Sequence, residues 1–233
     1  MPHYLRPAAA RGHANHGWLD TWHSFSFANY YDPRFMGYRS LRVINEDVIA
    51  ADTGFPTHGH KDMEIITYII EGELEHKDST GSHSVIHRGE VQRMSAGTGI
   101  RHSEMNPSPD QQAKLLQIWL MPEEDGITPG YEQTLFDEAA KTNRLCPIAS
   151  PSGADGALTI RQDVTVYASI LTDGQSLEHP LATGRGVWIQ MVAGELSVNG
   201  QSIHAGDGLV VEGESVVALQ GAKDAEFLLF DMA

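Results

Sequence analysis

Two short alternations of ligand-type residues constrain this chain most: His58-Gly59-His60 and, about forty residues later, His102-Ser103-Glu104. Alternate residues on an extended strand share a face, with Cα atoms roughly 7 Å apart. Two imidazoles at that spacing can converge on one ion. Glu64 has the same parity as His58 and His60, so an unbroken strand would bring it to that face too. Two such strands facing each other inside a β-barrel would assemble three histidines and one or two carboxylates. Imidazole plus carboxylate with open coordination positions is the ligand chemistry of a mononuclear transition-metal site, and it suits non-haem iron best. A single His-x-His among 12 histidines would be ordinary. Two such pairs, each beside a glycine-bounded hairpin, are not.

At 233 residues the chain has room for one large domain or two small ones. Its 41% hydrophobic and 20% charged content is that of an ordinary globular protein. A net charge of −15 repels phosphate backbones and anionic lipid surfaces, which disfavours direct nucleic-acid or membrane binding. A small ligand in a recessed site stays compatible, because a metal ion brings its own positive charge. The single Cys146 excludes an internal disulfide and fits a reducing compartment. The segment Met1 to Arg11 has no apolar core or cleavage pattern, so a cytoplasmic protein is expected.

Residues 1–40 are irregular and aromatic, with Trp18, Trp22, Phe25, Phe27, Tyr30, Tyr31, Phe35 and Tyr38. They are expected to cover the open edge or mouth of a barrel. His13, His16 and His23 fit no shared face with the later pairs and read as packing or surface residues. Leu41–Ile49 alternates as a strand, and Gly54-Phe55-Pro56 reads as a break before the His58 stretch. Ile65–Ile70 is a continuous β-branched and aromatic run, typical of a strand buried on both faces. Asp78–Ser82 marks a hairpin turn, Ser95–Gly99 a tight turn before His102, and Leu115–Met121 a further strand. The stretch Pro122 to Pro151 is rich in Pro and Gly and reads as the connection between halves, with a helical turn at Asp137–Thr142.

The second half looks like a worn copy of the first. Val187–Val192 corresponds to Ile65–Ile70, Gly194-Glu195-Leu196 to Gly72-Glu73-Leu74, and Gly206-Asp207 to Gly89-Glu90. Asn199-Gly200 is a type I′ hairpin signal. The copy has no second His-x-His, so it is expected to be metal-free, with His179 and His204 as ordinary residues.

Gly54, His58, His60, Glu64 and Gly72, followed by a glycine turn and His102, resemble the two motifs of the cupin superfamily. More narrowly, Phe25-Ser26-Phe27-Ala28-Asn29-Tyr30-Tyr31-Asp32-Pro33, His58–Glu64 and Met94–Glu104 resemble the pirin family, most closely its bacterial quercetin 2,3-dioxygenases. The resemblance implies an all-β bicupin, two stacked antiparallel β-barrel (jelly-roll) domains at 1–135 and 136–233, with metal only in the first. It implies His58, His60, His102 and Glu104 as ligands of one divalent cation. Fe2+ is expected, although Mn, Ni, Co, Cu and Zn accept the same donors. Glu64 is then expected to hydrogen-bond a ligand or water and orient it. The implied substrates are a flavonol and dioxygen, with cleavage of the central flavonol ring and release of carbon monoxide. Glu104 would take the proton of the 3-hydroxyl. The rival expectation is a metal-dependent regulator that binds a protein partner. A monomer is expected, since two barrels in one chain already bury the surface that single-barrel cupins hide by dimerising.

Overall fold

A computed structural model describes residues 3–233, and among them nearly all regular structure is strand. The strands begin with β1 (His3–Arg6), β2 (Gly12–Asn15), β3 (Leu19–His23) and β4 (Leu41–Ile49). They continue with β5 (Gly54–His60), β6 (Glu64–Glu71), β7 (Glu73–Asp78), β8 (His83–His87) and β9 (Glu90–Ser95). The first half ends with β10 (Ile100–Met105), β11 (Ala113–Leu120) and β12 (Gly130–Leu135). After helix α1 (Glu138–Lys141) come β13 (Cys146–Ser150), β14 (Leu158–Thr159), β15 (Val164–Leu171) and β16 (Ser176–Pro180). The last four are β17 (Gly186–Val198), β18 (Gln201–His204), β19 (Gly208–Glu212) and β20 (Val216–Met232). No described helix is long and apolar enough to cross a membrane.

The chain divides into two compact units, and the division departs from the expected 1–135 and 136–233 at two places. One unit holds Gly12–Leu135 and also Leu158–Gln162. The other holds the described residues through Arg11, then Phe136–Ala157 and Asp163–Ala233. The reason for the first exception is strand pairing: β1 is antiparallel to β19, with Tyr4 opposite Val210. Such a pairing is invisible to a reading that assigns the N-terminus to its nearest neighbours in sequence.

In the N-terminal unit two antiparallel sheets form a jelly roll. The larger runs β12-β9-β6-β11-β4-β3-β2 and the smaller β5-β10-β7-β8. The expected strand Leu41–Ile49 is β4, and the Ile65–Ile70 run is the buried interior of β6. The sheets meet through Leu19, Ile49, Ile69 and Leu115 of the larger and Leu74 and Ile86 of the smaller, all buried. A second cluster joins Ile65, Met94 and Ala96 to Ile100.

The expected break at Gly54–Pro56 is instead part of β5. That strand lies at the edge of its sheet, paired only with β10, and its register shifts between His102 and Glu104. Edge strands and bulges are where a sheet tolerates proline, which has no N–H to give.

The C-terminal unit is a sheet in the order β1-β19-β17-β20-β15-β13, with β16 on β20 and β18 on β17. Asn199 and Gly200 both have positive φ, 47° and 82°, as a type I′ turn between β17 and β18 demands. The expected helical turn is α1, whose Asp137 cap accepts a 2.7 Å bond from Ala140 N.

Candidate metal centre

The smaller sheet assembles the site by register. His102 on β10 stands opposite His58 on β5, and Ile100 stands opposite His60. Alternation then turns all three imidazoles to one side. His58, His60 and His102 each offer a nitrogen, and these three atoms lie within 4.8 Å of one another. The rings sit at centroid separations of 4.5 to 4.9 Å. Among the described residues this is the one His, Cys, Asp or Glu cluster with metal-ligand spacing.

The protonation of these rings can be read from their partners. His58 Nδ1 lies 2.8 Å from the carbonyl oxygen of Pro56, which only accepts, so Nδ1 carries the proton. Nε2 of His58 meets Nε2 of His102 at 3.1 Å. Burial, then the neighbouring His58, lowers the pKa of His60 to about 4. Burial first, then His58 and His60, holds that of His102 far below the usual imidazole range. Neutral imidazoles offer lone pairs, and crowded lone pairs repel unless a cation lies among them. Two imidazole nitrogens bound at roughly 2.0–2.1 Å and a right angle on a shared ion stand about 3 Å apart. The donor set thus fits a divalent cation.

Glu104 lies two residues beyond His102, is buried, and lines a cavity that the three imidazoles also line. Its carboxylate is not within the three-donor cluster. It accepts bonds from Gln117 Nε2 at 2.9 and 3.1 Å, one to each oxygen. Burial raises its pKa, against the opposing effect of the Gln117 bond.

Comparison with known proteins settles the family. The pirin family model matches residues 5–120, and the model of the quercetinase C-terminal cupin domain matches residues 147–232. A quercetin 2,3-dioxygenase of Escherichia coli (strain K12) is 54% identical over 230 residues, 98% of each chain. The chain belongs to the pirin family. A putative quercetin 2,3-dioxygenase of Pseudomonas aeruginosa is 44% identical, again over 98% of each chain. The solved structure of the Escherichia coli pirin YhhW in complex with nickel(II) is 51% identical. It superposes with a TM-score of 0.95, covering 99% of this chain and 98% of that one.

The three imidazoles of this pirin open onto a cavity of about 640 Å³, within the range of small-molecule sites. Its walls are aromatic: Trp18, Phe27, Tyr30, Phe55 and Trp119. Trp119 stands edge-on to His60, centroids 4.9 Å apart at 83°, and edge-on to Phe27. The N-terminal aromatics divide between roles. Trp18, Phe27 and Tyr30 line the cavity, Phe25 and Phe35 are buried, and Tyr31 is exposed. His13, His16 and His23 stay out of the three-donor cluster but line the same cavity, a role that their spacing did not suggest.

Glu64 does not reach the centre. The parity reading needed one unbroken strand from His58, but β5 stops at His60. Asp62 turns the chain at φ 48°, and Glu64 then opens β6 in the other sheet. Its carboxylate accepts bonds from Ser95 Oγ at 3.0 Å and from Arg161 N at 3.2 Å, not from a histidine. Burial raises its pKa, and Ser95 and Arg161 counter that.

Three polar residues beside the centre escaped the sequence reading. His76 and Asp78 lie on β7, the other neighbour of β10, and a His-x-Asp alternation on a hairpin strand was the signal available. Asp47 also lines the cavity, buried on β4 opposite Thr21, on a strand whose other charged residues are Arg42 and Glu46.

The turn before His102 is held by its glycine. Gly97 has φ 45°, and a Cβ there would collide with the carbonyl oxygen of Ile127. The same carbonyl accepts a 2.9 Å bond from Thr98 N, so it is not free to retreat. Gly97→Ala is expected to cost about 2–3 kcal/mol in urea unfolding, against about 1 for Gly81→Ala. Gly81 also has positive φ, but a Cβ there would meet open space.

Proposed function

We propose that this pirin is a metal-dependent dioxygenase that cleaves the central ring of flavonols such as quercetin, releasing carbon monoxide. The observation that carries the reading is the opening of three clustered imidazole donors into an aromatic-walled cavity. The names of its relatives, quercetin 2,3-dioxygenase at 54% identity among them, support the same substrate class. The proposed ligands are His58, His60, His102 and Glu104, and Fe2+ suits that set. A bound divalent cation would supply Lewis acidity, lowering the pKa of a substrate hydroxyl.

The chain's own residues do the rest. Phe27, Phe55 and Trp119 provide flat apolar surfaces on which a flavonol's rings lie, and they keep bulk water from the reacting carbons. Glu104 takes the proton of the 3-hydroxyl. Burial strengthens it as a base, and Gln117 holds both of its oxygens in place. Flavonol and dioxygen then become one ester product and carbon monoxide. A recessed cavity at the three imidazoles is what an enzyme needs, whereas a regulator would need a partner-sized exposed apolar patch.

The test is to strip the protein, reload it with Fe, Mn, Ni, Co, Cu or Zn, mix with quercetin without oxygen, and then admit oxygen. Carbon monoxide and loss of flavonol absorbance are expected with at least one metal, and both should return to background on chelation. No carbon monoxide with any metal would sink the assignment.

A further inference from the structure

We propose that His76 and Asp78 are positioning residues that fix the proton of His102 on Nδ1, so that its Nε2 lone pair is the one turned into the centre. The inference rests on the reading of His102 as a metal ligand. The sheet order supplies the arrangement. Strand β10 lies between β5, which carries His58 and His60, and β7, which carries His76 and Asp78. On β7 the two alternate, so they share a face, with Asp78 opposite His102 and His76 opposite Glu104.

The hydrogen bonds then run in one direction. The side chains of His76 and Asp78 are fully buried. Asp78 Oδ1 accepts three bonds from its own turn, from Thr80 N at 2.8 Å, Thr80 Oγ1 at 2.6 Å and Ser82 N at 3.1 Å. Its other oxygen, Oδ2, lies 2.9 Å from His76 Nε2. A carboxylate only accepts, so His76 Nε2 carries the proton, and in the neutral ring His76 Nδ1 is left as an acceptor. That nitrogen lies 3.4 Å from His102 Nδ1, which must then donate. One proton on Nδ1 of the neutral ring leaves Nε2 of His102 unprotonated, 3.1 Å from Nε2 of His58. His76 is also held in plane by Tyr131, whose ring centroid lies 4.6 Å away at 31°.

An outer carboxylate that orients a ligand imidazole is general metal-site chemistry. Here the carboxylate acts through a second imidazole, and its other oxygen organises a hairpin turn. The turn Asp78–Ser82 and the proton on His102 are therefore one structure.

Asp78→Asn tests this without dismantling the turn. The three donors at Oδ1 select the amide oxygen for that place, which puts the amide NH2 against His76 Nε2. An NH2 there donates, so His76 must move its proton to Nδ1, and His102 must carry its own on Nε2, where the ion belongs. Long-range 15N–1H NMR of the metal-free protein is expected to find His76 protonated on Nε2 and His102 on Nδ1, and both reversed in Asp78→Asn. Nickel(II) affinity, measured by chelator competition, should fall roughly 10–100-fold in that variant. In a His76→Phe background the same Asp78→Asn change should alter affinity by less than about twofold, whereas a purely structural role for Asp78 would persist there. Wild-type His102 protonated on Nε2, tautomers unmoved by Asp78→Asn, or an equal loss in the His76→Phe background would overturn the proposal. Wild-type protein that takes up no nickel would instead defeat the reading of the centre, and the NMR result would still decide the relay.

Discussion

His102→Ala is expected to leave the purified protein without stoichiometric metal and without flavonol turnover. Of the three clustered imidazoles His102 is the most buried, and it bridges the two neighbouring strands, facing His58 on one side and His76 on the other. Its loss removes a donor outright, so affinity should fall by more than the roughly 10–100-fold typical of losing an outer partner. Elemental analysis after dialysis against a weak chelator reads the outcome. The control is His16→Ala, on the wall of the same cavity but outside the cluster, which should keep its metal. Retained metal in His102→Ala would refute the ligand set.

Asp47 is expected to move stability further than any other single group. It is buried, its Oδ1 has no hydrogen-bond partner among the described residues, and Glu104 adds like charge nearby. Desolvation by burial raises its pKa from 3.8 to about 7, with Thr21 opposing and Glu104 and Glu46 adding to the rise. Below about pH 4 the group is protonated whether the chain is folded or not, and it contributes no pH dependence. Between pH 4 and 7 the unfolded chain gives up a proton that the folded one keeps. Stability therefore falls as pH rises through that window, and the penalty is complete above pH 7. The gap from 3.8 to about 7 corresponds to roughly 4 kcal/mol as an upper bound. Asp47→Asn cannot ionise. In metal-free protein it should be more stable than the parent at pH 8 by up to that amount, with the advantage vanishing by pH 4. Parallel urea-unfolding curves for the two proteins from pH 4 to pH 8 would show that Asp47 ionises freely.

The centre and the wall of its cavity answer to different kinds of information. His58, His60 and His102 were legible because period-two alternation is local: three residues suffice to set a shared face. The buried β6 and the Asn199-Gly200 turn were legible for the same reason, since their composition matches their own backbone geometry. Glu64 misled because parity holds only within one strand, and the turn at Asp62 passes the chain from the small sheet to the large one. Nothing in the spacing of His58 to Glu64 distinguishes a continuous strand from a broken one.

An all-β chain with a worn internal repeat, and imidazoles able to converge on one cation, can be read from the order of the residues. Only strand pairing brings Asp47 and Glu104 into their cavity, puts β7 on the far side of β10, and joins β1 to β19. The difference lies in the range of the interactions. A side chain's face is set by its own backbone, but its neighbours are set by which strands pair, and pairing is a contest among distant segments for the same backbone hydrogen bonds.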